Sequence, residues 1–198
     1  MNLPNKLTVS RFALTGLFLW ALFSPLQFND TLALIFFCLA SITDYLDGSI
    51  SRRRGLVTNF GILMDPLADK VLVCSAFIAF VESTHLNPGA PVKVAAWMVI
   101  VIVARELAIT GMRLLAASKK ILLAADTFGK VKTVSQIVTI IALLVTDAVH
   151  EWYPWLKNLF QPWVSGFAGI ALWVTVVLTA VSGLVYLWRN REIYLSDA

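Results

Sequence analysis

The sequence is poor in charged residues, and this scarcity is its most informative feature. Only 14% of its 198 residues are Asp, Glu, Lys or Arg, whereas 59% are hydrophobic. A soluble domain is typically about 25% charged and about 45–50% apolar. Together with a mean hydropathy of +0.78, these values predict an integral membrane protein. Since a span takes roughly 20 residues, the length accommodates several helices, and we treat 1–198 as a single membrane-embedded domain.

Cysteine and histidine are also scarce, with two of each. Cys38 and Cys74 each lie inside an apolar run, and the sequence contains no Cys-x-x-Cys motif or Cys/His cluster. We interpret both cysteines as small buried hydrophobic residues, and nothing in their pattern supports an oxidising compartment or a zinc site. The polar first residues and the missing small-residue cleavage site argue against a cleaved signal peptide.

Six apolar runs separated by polar turns predict an all-α protein with six transmembrane helices. The runs extend over about 9–23, 31–50, 61–81, 92–117, 131–149 and 163–188. We expect residues 1–8 to form a short interfacial segment before the first helix, and the Trp-, Tyr- and Pro-rich stretch before residue 163 to be a loop. The first run is short for a span and contains Arg11, so we expect this arginine to reach the interface or the run to be re-entrant.

Lysines and arginines are distributed unequally between the two ends of these helices. One end carries Lys6, Arg11, Arg52, Arg53, Arg54, Lys119, Lys120, Lys130, Arg189 and Arg191, whereas the opposite loops carry Lys93 and Lys157. By the positive-inside rule, both termini and the link between the second and third runs face the cytoplasm. We therefore predict a multi-pass protein, with the bacterial cytoplasmic (inner) membrane as its expected location.

Four aspartates stand at the adjoining ends of the second and third runs. Asp44 and Asp47 close the second run, and Asp65 and Asp69 open the third. On α-helices the first pair lies about 60° apart and the second about 40° apart, so each pair occupies one helix face. Antiparallel packing would bring all four carboxylates to a similar depth, where they repel one another and can protonate, pair with basic residues or bind cations. Oxygen ligands suit hard ions such as Mg²⁺, Mn²⁺ or Ca²⁺, and two divalent ions balance four carboxylates.

Glycines and an arginine are aligned with these carboxylates. Gly48 and Arg52 follow Asp44 at four-residue steps, and Gly61 precedes Asp65 by the same step. Glycine lets a ligand approach the backbone, and an arginine fork pairs with phosphate. Since metal pairs about 3.5–4 Å apart recur in displacements at phosphorus, the pattern predicts a two-metal site for a phosphate-containing substrate. An Asp-lined cation or proton transporter is the alternative from another functional class.

The complete pattern is D-x-x-D-G-x-x-S-R, eight residues, then G-x-x-x-D-x-x-x-D. It resembles the signature of the CDP-alcohol phosphatidyltransferase family, with Ser51 where the family usually has another small residue, Ala. The resemblance implies that the four aspartates bind two Mg²⁺ or Mn²⁺ ions and that Asp69 is the general base. An alcohol hydroxyl would attack the phosphorus next to the lipid, and CMP would leave. The implied contacts of the donor, CDP-diacylglycerol, are Asn5, Thr8, Gly48, Arg52, Thr58 and Gly61.

Further basic residues bear on the acceptor alcohol. Buried positive charge beside a metal site favours an acceptor that carries a phosphate. The motifs at 4–11 (P-N-K-L-T-x-x-R), 104–106 (A-R-E) and 129–133 (G-K-V-K-T) resemble the family branch that uses glycerol 3-phosphate. The candidates for its phosphate are Thr8, Arg11, Arg105, Arg113, Lys130 and Lys132. A structural pairing of Arg105 or Arg113 with Glu106 or Asp126 is the alternative, and inositol phosphate, serine and phosphatidylglycerol are alternative acceptors.

The resemblance covers nearly the whole chain, because the six-run architecture fits as well as the motif. It implies a homodimer in the lipid bilayer with CDP-diacylglycerol and glycerol 3-phosphate as substrates. We expect no nucleic-acid partner, and we assign no catalytic role to His85 or His150.

Overall fold

The described residues of the chain fold almost entirely into α-helices. This computed structural model describes the backbone of residues 3–54, 59–87, 89–118 and 127–191, and side chains within 9–44, 67–68, 70–87, 89–116 and 131–191. The helices are α1 (Leu3–Phe23), α2 (Asn29–Arg54), α3 (Asn59–Leu86), α4 (Ala96–Ser118), α5 (Thr127–Ala148) and α6 (Pro154–Arg189), with a 3-10 turn at Val149–Glu151. The described residues contain no β-strand. The all-α prediction is therefore confirmed, and each predicted apolar run falls largely on one helix.

Two helix boundaries differ from the sequence prediction. Residues 3–8 belong to α1, so the predicted separate interfacial segment is wrong for these residues. Pro4 lies in the first turn, where the missing N–H of proline costs no hydrogen bond, and the helix can begin before the apolar run. The predicted loop before residue 163 is also largely wrong, because α6 begins at Pro154 and continues through Pro162. Pro154 occupies the first turn of α6, where the fixed φ of proline suits a helix.

The surface of the helix bundle is strongly apolar. Ile100, Leu107 and Leu114 recur every seven residues along α4, and each is 64–65% exposed. A soluble monomer rarely exposes such a continuous apolar stripe, whereas lipid contact requires one. In the described part of the chain, Val131–Glu151 and Pro154–Arg189 are long and apolar enough to cross a membrane. These features indicate a membrane protein, and the count of six spans stays a prediction.

Each helix of the bundle packs against particular neighbouring helices. Helix α1 packs against α2 and α3, α5 packs against α2 and α6, and α4 packs against α3 and α6. Phe18 of α1 and Phe37 of α2 are fully buried, and their rings meet edge to face with centroids 5.7 Å apart. Buried alanines such as Ala33 and Ala40 allow the close helix approach that membrane bundles use. Helix α1 thus contacts both helices that carry the aspartates.

The N-terminus of α2 is held by a residue near the start of α6. The Glu151 carboxylate accepts hydrogen bonds from the backbone N–H groups of Asp30 at 3.1 Å and Thr31 at 2.9 Å. It also accepts one from the Thr31 hydroxyl at 2.5 Å, and the Trp152 indole N–H donates to that hydroxyl at 3.0 Å. A carboxylate here satisfies N–H groups that lack helical partners and faces the positive end of the helix dipole. These hydrogen bonds connect α2 to the turn before α6 at the end of α2 that is distant from Asp44 and Asp47.

Candidate active site

The four aspartates lie on two helices, in the order that the sequence predicts. Asp44 and Asp47 are in the C-terminal half of α2, and Asp65 and Asp69 follow the start of α3. Because both helices are continuous at these positions, each pair shares one helix face. The side chain of Asp44 is described. Outside the described side chains lie those of Asn5, Thr8, Asp47, Gly48, Arg52, Gly61, Asp65, Asp69 and Lys130, and Thr58 lies outside the described backbone as well.

Arg11 of α1 forms an ion pair with Asp44 of α2. The Arg11 Nη1 atom lies 2.7 Å from Asp44 Oδ1, and the two side chains are 1% and 40% exposed. Arg11 is therefore buried against α2, and its position relative to the membrane interface stays a prediction. A buried guanidinium needs a compensating charge, and Asp44 supplies one within the bundle. The Asp44 carboxylate remains partly exposed, so it is still accessible for binding a metal ion.

A second polar cluster surrounds Glu106, between α4 and α5. The Lys132 ammonium pairs with Glu106 Oε1, and both side chains are 6% exposed. The Arg105 guanidinium lies 3.3 Å from the same oxygen, and the Gln136 amide donates to it at 3.5 Å. The structural pairing of Arg105 with Glu106, considered above as an alternative, is thus present. Two of the predicted acceptor residues, Arg105 and Lys132, converge on one carboxylate oxygen.

Lys70 of α3 lies beside this cluster. A cavity of about 10 Å³ is lined by Lys70, Val73, Glu106, Lys132, Thr133 and Gln136. Such a space holds roughly one water molecule and is too small for a sugar-sized phosphate ester. Lys70 directly follows Asp69, so the cavity borders the helix of the second aspartate pair. Sequence reasoning missed Lys70, although a lysine inside an apolar run was the available signal.

Arg113, another predicted acceptor residue, lies apart from the Glu106 cluster. Its guanidinium is 6.0 Å from the centroid of the Tyr186 ring, a distance at which a cation and a ring still attract. Tyr186 is 5% exposed and packs with Ile109 and Met112. Tyr186 is therefore a buried residue of the helix bundle. Arg113 is exposed and lies about 12 Å along α4 from Arg105, at 1.5 Å per residue.

Arg105 is also contacted from α6. Its Nη2 atom donates a weak hydrogen bond to Ser182 Oγ at 3.5 Å. The aliphatic part of the side chain runs over Gly183, where an added Cβ atom would lie 2.7 Å from Arg105 Cγ. Helices α4 and α6 therefore approach each other at this point because residue 183 has no side chain. Neither Gly183 nor Ser182 was predicted as a site residue.

Comparisons with known proteins match nearly the whole length of the sequence. The sequence model of the CDP-alcohol phosphatidyltransferase family matches residues 1–181. The chain is 40% identical, over 203 residues, to the CDP-diacylglycerol–glycerol-3-phosphate 3-phosphatidyltransferase of Bacillus subtilis (strain 168), covering 96% of each chain. It is 34% identical, over 197 residues, to the protein of the same name from Escherichia coli (strain K12), covering 96% of this chain and 95% of that one. The protein of that name from Salmonella paratyphi A is also 34% identical.

Proposed function

The chain belongs to the CDP-alcohol phosphatidyltransferase family, and on this premise we propose that it transfers a phosphatidyl group from CDP-diacylglycerol to glycerol 3-phosphate. The products are phosphatidylglycerol phosphate and CMP, so the enzyme serves phospholipid biosynthesis. The observation that carries this assignment is the full-length similarity, at 96% coverage, to relatives named for this reaction. The complete aspartate signature on α2 and α3 supports the same chemistry.

We assign two Mg²⁺ or Mn²⁺ ions to the carboxylates of Asp44, Asp47, Asp65 and Asp69. The environment of Asp44 fits such a ligand, because Arg11 holds one oxygen while the carboxylate is 40% exposed. When bound, the ions would act as Lewis acids on the phosphate oxygens of the donor. Carboxylates on α2 and α3 would then face the diphosphate from two helices.

Asp69 is the proposed general base. It would accept the proton of the acceptor hydroxyl as the new oxygen–phosphorus bond forms. The bond from that phosphorus to the CMP oxygen breaks in the same displacement, and CMP leaves with the electron pair. Asp69 is followed on α3 by Lys70, which lines the cavity beside Glu106, so the proposed base is adjacent in sequence to a residue of that cavity.

The donor is proposed to lie along the glycine-bearing faces of α2 and α3. Gly48 leaves space for the nucleotide to approach the helix backbone, and Arg52 pairs with a phosphate as a planar fork. Asn5, Thr8, Thr58 and Gly61 complete the proposed contacts. Contact of α1 with both α2 and α3 supports a donor site built from these three helices.

The acceptor phosphate is proposed to bind at Arg105 and Lys132. These two cations converge on Glu106 Oε1, and the adjoining cavity of about 10 Å³ has no room for the acceptor. Binding therefore requires the two side chains to exchange part of their contact with Glu106 for phosphate oxygens. Charge-assisted pairs of this kind favour a phosphate over a neutral alcohol. Thr8, Arg11, Arg113 and Lys130 are the remaining candidates.

The proposed setting is a homodimer with six spans per chain in a bacterial cytoplasmic membrane. The excess of basic residues at the aspartate end supports a cytoplasmic active site. The apolar surface of the bundle supports contact with lipid around the helices.

The reaction is tested by supplying the purified protein with CDP-diacylglycerol and one acceptor at a time. We expect CMP release with glycerol 3-phosphate, dependent on Mg²⁺ or Mn²⁺, and little release with serine, inositol phosphate or phosphatidylglycerol. Release with another acceptor but not with glycerol 3-phosphate would overturn the acceptor assignment. Ion flux into proteoliposomes, without any CMP release, would favour the transporter.

A further inference from the structure

We propose that Gly183 of α6 is a positioning residue that sets the affinity of the enzyme for the acceptor phosphate, by giving Arg105 its place. This inference rests on the proposed function, in which Arg105 binds that phosphate. Gly183 lies outside the aspartate signature and beyond the residues, 1–181, that the family model matches. Its role follows from the contact between α4 and α6.

Gly183 packs against the first atoms of the Arg105 side chain. A Cβ atom at position 183 would lie 2.7 Å from Arg105 Cγ and 3.6 Å from its Cβ, whereas carbon atoms pack best at about 3.5–4.0 Å. Because Cγ is the first atom beyond Cβ, the flexible end of the arginine cannot relieve this clash. Either χ1 of Arg105 must change, or α6 must move away from α4.

Both responses would displace the guanidinium. In a helix, χ1 is nearly confined to about 180° or −60°, so a switch redirects the whole side chain. The present direction holds Arg105 Nη1 at 3.3 Å from Glu106 Oε1 and Nη2 at 3.5 Å from Ser182 Oγ. Redirection removes both contacts and leaves Lys132 on Glu106 without its arginine neighbour. The proposed phosphate site would then keep one cation of the pair.

Gly183 differs in this respect from other glycines of the same helix. No described atom lies within 4 Å of a Cβ atom built at Gly166 or Gly169. A methyl group at either position therefore meets open space, and alanine there changes the chain's helix propensity alone. Gly169→Ala is the matched control for Gly183→Ala.

The test is a double-mutant cycle in steady-state CMP release with CDP-diacylglycerol and glycerol 3-phosphate. We expect Gly183→Ala to raise KM for glycerol 3-phosphate about tenfold or more, the loss typical of a hydrogen bond to a charged group. KM for CDP-diacylglycerol is expected to stay unchanged, and Gly169→Ala to behave as wild type. Arg105→Ala removes Cγ, so adding Gly183→Ala to it is expected to raise KM no further.

Several outcomes overturn the inference. Equal effects of Gly183→Ala with and without Arg105, or equal rises in both KM values, would mean that Gly183 serves helix packing alone. Wild-type KM in Gly183→Ala, beside a raised KM in Arg105→Ala, would refute the role of Gly183 and leave the proposed function standing. An unchanged KM in Arg105→Ala would remove Arg105 from the acceptor site and refute the role of Gly183 with it, whereas no CMP release by the wild type would refute the proposed function itself. If Gly183→Ala does not fold, Arg105→Ala must restore its thermal unfolding temperature, and failure to do so also refutes the contact.

Discussion

Arg11 Nη1 lies 2.7 Å from Asp44 Oδ1, so the helix at the start of the chain directly contacts the aspartate signature. Arg11 is buried at 1% exposure, whereas Asp44 is 40% exposed. The arginine therefore fixes the orientation of the carboxylate from the interior of the bundle, and the open side is left for a ligand. Residues that orient a metal ligand often matter nearly as much as the ligand.

Replacing Arg11 tests this relationship. Arg11→Ala leaves Asp44 without this ion-pair partner, and we expect an apparent affinity for Mg²⁺ or Mn²⁺ that is about 10–100-fold weaker. Arg11→Lys keeps the charge but not the fork, so it should recover part of the loss. The measurement is CMP release as a function of metal concentration, with the exposed Arg189→Ala as the control. Unchanged metal dependence in Arg11→Ala would show that the pair has no part in metal binding.

Asp69→Asn tests the proposed base. An amide cannot accept the proton of the acceptor hydroxyl, so we expect CMP release to fall by about 10²–10⁴-fold, the usual contribution of general base catalysis. Binding of CDP-diacylglycerol should persist, since the three other aspartates remain. Single-turnover CMP release and direct donor binding, measured on the same preparation, separate the two effects. Retained turnover would remove Asp69 as the base.

The buried pair of Glu106 and Lys132 is expected to matter for stability as well as for acceptor binding. Both side chains are 6% exposed, so Glu106→Gln should lower the free energy of unfolding by about 3–5 kcal/mol, as for other broken buried pairs. Replacing both residues together, as Glu106→Leu with Lys132→Met, should recover part of that stability, although Arg105 still loses its contact with Glu106. The double variant should still bind glycerol 3-phosphate poorly, because Lys132 is gone.

Thermal unfolding in detergent and KM for the acceptor measure these two properties separately. A wild-type KM in the stable double variant would exclude Lys132 from the acceptor site. An unfolding temperature in Glu106→Gln equal to that of the wild type would mean that the pair contributes little to stability.

The pH dependence of stability is expected to include Asp30, which precedes the apolar run of α2. Burial, with the Glu151 carboxylate as the smaller cause, raises the pKa of Asp30 from 3.8 to about 6. The folded state thus binds this proton more tightly than the unfolded state. The stability that Asp30 contributes is full below about pH 4 and is lost as the pH rises to about 6.

Asp30→Asn mimics the protonated carboxyl and should remove this part of the pH dependence. We expect the unfolding temperature of the variant to exceed that of the wild type more at pH 7 than at pH 4, while KM for both substrates stays unchanged. Comparing the two proteins across this range cancels the titration of those carboxylates that do not interact with Asp30. A constant difference between them would contradict the raised pKa.

The sequence by itself determined the helical framework and the chemistry of the signature. Apolar runs located the helices, because the runs are long and their ends are marked by polar residues and turns. Asp44 and Asp47, like Asp65 and Asp69, share a helix face through local spacing alone, which requires no knowledge of the fold. The predicted helix boundaries were wrong at the starts of α1 and α6, where Pro4 and Pro154 lie in the first turn. Proline disrupts the interior of a helix, but it is well suited to the first turn.

Only the tertiary structure decided which side chains meet. Arg11 forms an ion pair with Asp44, and Lys132 forms one with Glu106. Arg105 packs against Gly183. In each case the two residues lie on different helices. Sequence spacing assigns a residue to a face of its own helix but does not say which neighbouring helix that face contacts. That choice depends on the packing of all six helices together, since close approach, burial and charge compensation arise between elements far apart in the chain.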